Sequence, residues 1–226
     1  MIVPMKKKLL YLSVFFLILF TYYSYTVAKE KWTSLDFDTT VRLQDNISRR
    51  FDDNFSYLSL LGSAEITVGI CIIMAALSLM RLKFLAVLGW SMIVPATLAE
   101  VFGKYVLFHP APPHFLHRSI VHATLPSFYV HTEYSYPSGH MTRTVFIATI
   151  FICIAVFRMK NPVLKFLSIG FLTGLSFLMG LTRVYLGEHW MSDVVGGTLL
   201  GLGSGIFASI LILGKDARLI VYSKGV

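Results

Sequence analysis

The sequence predicts an all-α membrane protein with six transmembrane helices. Of its 226 residues, 55% are hydrophobic and only 14% are charged, and the mean hydropathy is +0.68. A soluble domain carries about 25% charged residues, so this composition excludes an ordinary soluble enzyme. Six apolar stretches approach the roughly 20 residues of helix that cross a bilayer, and a helix satisfies its own backbone hydrogen bonds in lipid. We therefore treat residues 1–226 as a single integral membrane domain.

The six predicted spans are apolar runs bounded by charged or turn-forming residues. They cover residues 9–28, 57–80, 84–107, 140–158, 163–182 and 193–213. The first span follows three lysines at 6–8, which is also the pattern of a cleaved signal peptide. Because its apolar run is close to spanning length, a transmembrane helix is the favoured interpretation.

Lysine and arginine are distributed unevenly among the segments that connect the spans. The two terminal segments, the second-to-third connection and the fourth-to-fifth connection are basic and contain a single acid, Asp216. Their cations are Lys6, Lys7, Lys8, Arg81, Lys83, Arg158, Lys160, Lys165, Lys215, Arg218 and Lys224. The positive-inside rule therefore predicts that both termini are cytoplasmic. Since the net charge of +8 follows this alternation, it indicates membrane orientation and no nucleic-acid partner.

The predicted outer segment at residues 29–56 carries Phe37, Val41, Phe51 and Phe55 at helical spacing among charged residues. This pattern suits a helix that lies in the membrane interface. A solvated loop is the equally compatible alternative.

All seven histidines fall on the predicted outer side. They are His109, His114, His117, His122, His131, His140 and His189. Lys104, Arg118, Arg143 and Arg183 lie in the same region. Cations and histidines at membrane depth are costly and usually functional, so the pattern predicts a cationic, outward-facing pocket.

Two short motifs in this region favour anion chemistry. In the first, Pro137 precedes Ser138, Gly139 and His140: serine is a natural N-cap, glycine permits close backbone approach, and a helix start binds anions. An ordinary capped junction is the alternative.

In the second motif, Arg183 precedes His189 and Asp193, which are four residues apart and would share one helix face. Asp193 could hold one ring nitrogen of His189 and leave the other nucleophilic. A histidine beside an acid in a first helical turn is the alternative. Lys104 lies four residues after Glu100, so the two can pair along a helix; simple snorkelling is the alternative for Lys104.

Together, the region from Lys104 to Asp193 resembles the three-part signature of type 2 phosphatidic acid phosphatases. That superfamily also includes glucose-6-phosphatase and vanadium haloperoxidases. The resemblance implies that His189 attacks phosphorus, that Asp193 orients it, and that His140 protonates the leaving oxygen. It also implies no metal or other cofactor. The implied phosphate-binding groups are Lys104, Arg183, Ser138 and Gly139.

The first part of the signature is altered, because Ala111 stands where the family has an arginine. Arg143 and Arg118 are the two candidate replacements, and we favour Arg143 because a helix would hold it near the pocket. The intramembrane acids Glu65 and Glu100 are expected to lie beneath the cations.

Two further patterns have structural or metal interpretations. The glycines at 197, 201 and 205 repeat every four residues and predict close helix packing. The histidine-rich run at 109–117 could suggest zinc, but the chain offers no cysteine there and its prolines oppose helical ligand spacing.

The sequence thus predicts a phosphatase that acts on a lipid phosphate or diphosphate in the bilayer. Its expected location is the bacterial inner membrane, with the site on the periplasmic or extracellular side. A lipid phosphotransferase and a non-catalytic lipid-phosphate-binding homologue are the alternatives; a transporter is less well supported, because broken-helix pairs are lacking.

Overall fold

The computed structural model describes residues 5–120 and 133–214, and within these ranges helices form without any β-strand. The nine α-helices in this described part of the chain are α1 Met5–Ala28, α2 Thr33–Asn46, α3 Asp52–Leu60, α4 Ala64–Met80, α5 Phe84–Ser91, α6 Ile93–Val106, α7 Gly139–Arg158, α8 Pro162–Tyr185 and α9 Met191–Leu213. They make six helical segments that are long and apolar enough to cross a membrane. The predicted all-α fold with six spans is therefore confirmed.

The second and third spans are interrupted, which the sequence prediction of single helices over 57–80 and 84–107 missed. In the second span, α3 and α4 are separated at residues 61–63, where the Ser63 side chain accepts a hydrogen bond from the amide of Ile66 and caps α4. In the third, Met92 separates α5 from α6. Pro95 lacks an amide hydrogen and clashes with a preceding helical turn, so α6 begins two residues before it.

The centre of the bundle is the contact between α7 and α9. A Cβ atom added to Gly197, Gly201 or Gly205 would lie 2.4, 2.7 or 2.8 Å from a backbone oxygen of α7 or its N-cap residue. Only glycine permits this approach, so the predicted close packing of the last span is confirmed. Helix α1 packs on α9 from another side, and α8 packs on α7.

The segment at residues 29–56, which the sequence predicts to lie on the outer side, contains helix α2, so the loop alternative for its first half is wrong. Its buried residues are Asp36, Thr40 and Gln44, whereas Phe37 is exposed. The helix contacts α8 and α9. The Gln44 side-chain amide donates to the backbone oxygens of Leu116 and Tyr185 at 2.7 and 2.8 Å. The face of α2 that packs on the bundle is therefore polar, and Gln44 joins α2 to the end of α8 and to the segment that follows α6.

Candidate active site

His189 and Asp193 meet at the start of α9. The distance from His189 Nδ1 to Asp193 Oδ2 is 3.4 Å, and the same oxygen accepts the amide hydrogen of Trp190 at 2.9 Å. His189 precedes the first residue of α9, Met191. Asp193 therefore reaches back over the helix start as a capping carboxylate. The predicted pair is formed, but through cap geometry and not through one shared helix face.

The turn between α8 and α9 requires a glycine to present His189. Gly187 has a φ of +67°, and a Cβ atom there would lie 2.2 Å from the carbonyl oxygen of Leu116. Glycine adopts this left-handed conformation without strain. The turn is thereby packed against the segment around Leu116 that follows α6.

His189 lies outside the spanning segments and is only 7% exposed. Burial, and then the charges of Arg183, Lys104 and Arg143, hold the pKa of His189 well below its usual value. The ring is therefore neutral at pH 7. Because Nδ1 faces the Asp193 carboxylate, we assign the proton to Nδ1 and the free lone pair to Nε2.

Glu100 holds two cations beside this histidine. Its Oε1 lies 3.1 Å from Lys104 Nζ, and its Oε2 accepts a hydrogen bond from Arg143 Nη1 at 2.7 Å. The predicted pairing of Lys104 with Glu100 is confirmed, as is the position of Glu100 beneath the cations. A Cβ atom at Gly139 would lie 2.1 Å from Glu100 Oε1. Gly139 thus permits close approach of this carboxylate.

Arg183 is buried in the last turn of α8. One terminal nitrogen donates to the Ser59 hydroxyl of α3, and the other pairs with Glu188. Neither partner was predicted. Glu188 is adjacent to His189 in the sequence, which was an available signal, whereas Ser59 comes from a distant segment with no motif.

Three buried donors in this region have no hydrogen-bond partner among the described residues. They are Ser138 Oγ, Arg143 Nε and Arg183 Nε. Ser138 occupies the N-cap position of α7, but its side chain makes no capping bond, so the predicted side-chain cap is wrong. Its amide donates to the backbone oxygen of Asp193 at 3.0 Å and joins the start of α7 to α9. Buried donors are normally satisfied, so the arrangement is suited to an anion.

His140 lies in the first turn of α7, as predicted, beside the interruption between α3 and α4. A Cβ atom at Gly62 would lie 3.1 Å from His140 Cδ2. The interruption thus leaves room for the imidazole. Ser59, in the last turn of α3 just before the interruption, accepts the hydrogen bond from Arg183. This part of the second span therefore contacts two site residues, His140 and Arg183.

A family model described as the PAP2 superfamily matches residues 84–215, more than half of the chain. The chain belongs to the PAP2 superfamily. The match contains Lys104, Ser138, Gly139, His140, Arg143, Arg183, His189 and Asp193.

Two named proteins match parts of the sequence. Phosphatidylglycerophosphatase B of Bacillus subtilis (strain 168) is 39% identical over 77 residues, which cover 31% of this chain and 36% of that protein. Undecaprenyl-diphosphatase of Sulfolobus acidocaldarius is 31% identical over 117 residues, which cover 50% of each chain. The chain thus spans half or less of the length of these relatives.

Two solved structures share the fold. The transmembrane PAP2-type phosphatidylglycerolphosphate phosphatase from Bacillus subtilis superposes with a TM-score of 0.68 at 19% identity, covering 94% of this chain and 99% of that one. Aquifex aeolicus LpxE superposes with a TM-score of 0.52 at 22% identity, covering 77% and 94%. At these identities the likeness establishes the membrane PAP2 fold.

The two candidates for the missing PAP2 arginine lie in different places. Arg143 is buried on α7, contacts Glu100, and contributes to the lowered pKa of His189. Arg118 stands over the Tyr185 ring, 5.2 Å from its centroid, and donates to the Tyr185 hydroxyl at 3.2 Å. The structure therefore joins Arg143, and not Arg118, to the Glu100–Lys104 group.

The other predicted residues occupy varied positions. Glu65 is half-buried in the first turn of α4, and its expected role beneath the cations stays a prediction. His122 and His131, and the C-terminal cations from Lys215 onward, lie outside the described residues. Within residues 5–120 and 133–214, no group of three or more His, Cys, Asp or Glu side chains is placed to hold a metal ion.

Proposed function

We propose that this PAP2 protein hydrolyses a phosphate or diphosphate ester of a membrane lipid through a phosphohistidine, without a metal ion. The observation that carries this proposal is the neutral His189, paired with Asp193 and surrounded by three cations. A neutral imidazole with an orienting carboxylate is an activated nucleophile. Cations around it stabilise the charge of a transferring phosphoryl group.

The proposed reaction has two steps, transfer of the phosphoryl group to His189 and hydrolysis of the phosphohistidine. His189 Nε2 attacks phosphorus while the bond from phosphorus to the lipid oxygen breaks, and His140 gives that oxygen a proton. Water then attacks phosphorus while the bond from phosphorus to His189 Nε2 breaks, and the water gives a proton to His140. Inorganic phosphate leaves, and both histidines return to their starting states.

Positive charge offsets the charge of the phosphoryl oxygens throughout. Lys104, Arg143 and Arg183 supply it, and Ser138 Oγ adds a buried donor with no protein partner. The Gly139 backbone amide, at the start of α7, is the further donor that we assign to the phosphoryl group. These groups come from α6, α7 and α8, and both α6 and α8 pack on α7, so the groups are fixed before substrate binds.

The membrane setting favours a lipid substrate. Six spanning helices place the site in a protein that is embedded in the bilayer, and the named sequence relatives are a phosphatidylglycerophosphatase and an undecaprenyl-diphosphatase. The basic connections lie at the opposite end from the histidines, so the positive-inside rule supports a site on the outer face of a bacterial inner membrane.

The test is phosphate release by the detergent-solubilised protein from a panel of lipid mono- and diphosphates, measured in EDTA, with His189→Ala as background. We expect release that persists in EDTA and is absent from the variant. Loss of release in EDTA would contradict the metal-free mechanism. Transfer of phosphate to an added alcohol at the expense of free phosphate would identify a phosphotransferase.

Glu100→Gln tests the group that holds the cations. The substitution keeps the size of the side chain but removes the charge that holds Lys104 and Arg143. We expect kcat/KM to fall by about 10- to 100-fold, because the cations lose their fixed positions. Expression and thermal stability should change less than activity. Loss of folded protein with normal activity in the remainder would make the role of Glu100 structural.

A further inference from the structure

A third histidine, His109, lies beside the carboxylate oxygen of Asp193 that is not paired with His189. It is 7% exposed, and its Nε2 lies 3.6 Å from Asp193 Oδ1. This distance is longer than a hydrogen bond. No hydrogen-bond partner for Oδ1 is found among the described residues, although the Ser135 side chain also interacts with the Asp193 carboxylate. His109 is therefore one of two polar side chains beside this end of Asp193. The two carboxylate oxygens of Asp193 thus face two different imidazoles.

Helix α2 acts on this histidine through Asp36, which binds Ser192 beside the imidazole. Asp36 Oδ1 accepts the amide hydrogen of Ser192 at 2.8 Å, and Asp36 Oδ2 accepts the Ser192 hydroxyl hydrogen at 2.6 Å. Ser192 Oγ also lies 3.3 Å from His109 Nε2, and Asp36 Oδ2 lies 3.9 Å from it. Asp36, Ser192, His109 and Asp193 are all buried. We call these four residues the outer network.

The hydrogen bonds of the outer network determine the tautomer of His109. A hydroxyl has one hydrogen, and Ser192 gives it to Asp36, so Ser192 Oγ must accept from His109. The proton of His109 is therefore on Nε2, where the neighbouring atoms from α2 and α9 are all acceptors. Burial lowers the pKa of His109 to about 4, so the ring is neutral at pH 7.

We propose that His109 is a positioning residue. Its Nε2–H group donates to Ser192 Oγ, and the same nitrogen lies 3.6 Å from Asp193 Oδ1. This electrostatic contact helps to keep Asp193 Oδ2 on His189 during the reaction. This inference rests on the proposed function. His109 Nε2 lies near Asp193 Oδ1, whereas His189 Nδ1 lies near Asp193 Oδ2. Without His109, the Asp193 carboxylate loses one of its polar contacts and is held less firmly on His189, because groups that orient a catalytic side chain fix its geometry.

The test compares three substitutions of His109 in the full-length protein. His109→Leu removes the donor, His109→Asn offers a donor nearer the backbone, and His109→Gln offers one at nearly the distance of Nε2. We expect kcat to fall by about 10- to 100-fold for leucine and asparagine, with KM for the lipid phosphate within twofold of the parent. Glutamine should restore most of kcat. Equal kcat for glutamine and asparagine, both folded, would overturn the proposal.

Asp36→Asn provides an independent measurement, with Asp38→Asn as its matched control on the exposed face of the same helix. The first should lower kcat without raising KM, and the second should leave both unchanged. His189→Ala is measured beside them. If His189→Ala abolishes release while His109→Leu keeps the parent kcat, the positioning role is wrong and the proposed function stands. If His189→Ala retains release, the proposed function itself falls.

Discussion

His189→Ala is expected to lower kcat for lipid phosphate hydrolysis by at least about 10⁴-fold. The substitution removes the group that would form the covalent intermediate, and removal of a nucleophile typically costs this much or more. The cations and Ser138 remain, so KM should change far less than kcat. Phosphate release under single-turnover conditions, at saturating lipid, measures the effect on the chemical step.

The control for His189→Ala is Lys160→Ala, which changes an exposed residue between α7 and α8. It should have the parent rate, and both variants should have the parent elution profile in detergent. The parent is mixed with lipid that carries a labelled phosphate, and the reaction is then quenched. This should trap an acid-labile, alkali-stable phosphoprotein that is absent from His189→Ala. Release within tenfold of the parent in that variant would exclude His189 as the nucleophile.

Arg143→Ala is expected to lower kcat/KM by about 10²- to 10³-fold, the usual cost of removing one preorganised donor from a developing oxyanion. Arg143 shares Glu100 with Lys104 and acts electrostatically on His189, so we assign it the work of the family arginine that Ala111 replaces. Steady-state kinetics over a range of lipid concentrations measures this effect.

Arg118→Ala is the matched substitution for the rival arginine and should change kcat/KM by less than about threefold. Its side chain stands over Tyr185, so its loss should be seen mainly as a lower melting temperature. Arg143→Lys should recover part of the activity, because it restores the charge without the planar guanidinium. The reverse pattern, with Arg118→Ala inactive and Arg143→Ala active, would assign the role to Arg118.

Local information in the sequence was sufficient for most of the fold. Apolar runs of spanning length predicted all six spans, since lipid exposure requires such runs. The spacing from Lys104 to Asp193 predicted that His189 and Asp193 form a pair, and the glycine repeat in the last span predicted close helix packing without naming the partner helix. Each of these features depends on residues that are close in the chain or belong to a family motif.

The features that were missed depend on contacts between distant segments. Asp36 and Ser192 are separated by 156 positions, and Ser59 and Arg183 by 124. Neither pair shares a periodicity that a sequence could display. The interruption at 61–63 had a local signal, since Gly62 and the capping Ser63 lie in it, but hydrophobicity averaged over the span hides these two residues. The interruption at Met92 lies among mainly apolar residues, so hydrophobicity alone shows an unbroken helix there.

The polar attachment of α2 has a consequence for exchanging parts between homologues. The family match begins at residue 84, whereas Asp36, Gln44 and Ser59 all precede it. A hybrid that joins residues 1–83 of one protein to the remainder of another would inherit the two sides of these contacts from different parents. Such hybrids should have the highest activity when the residues at positions 36 and 192 come from the same parent. This hydrogen-bonded pair therefore determines which parts of two homologues can be exchanged.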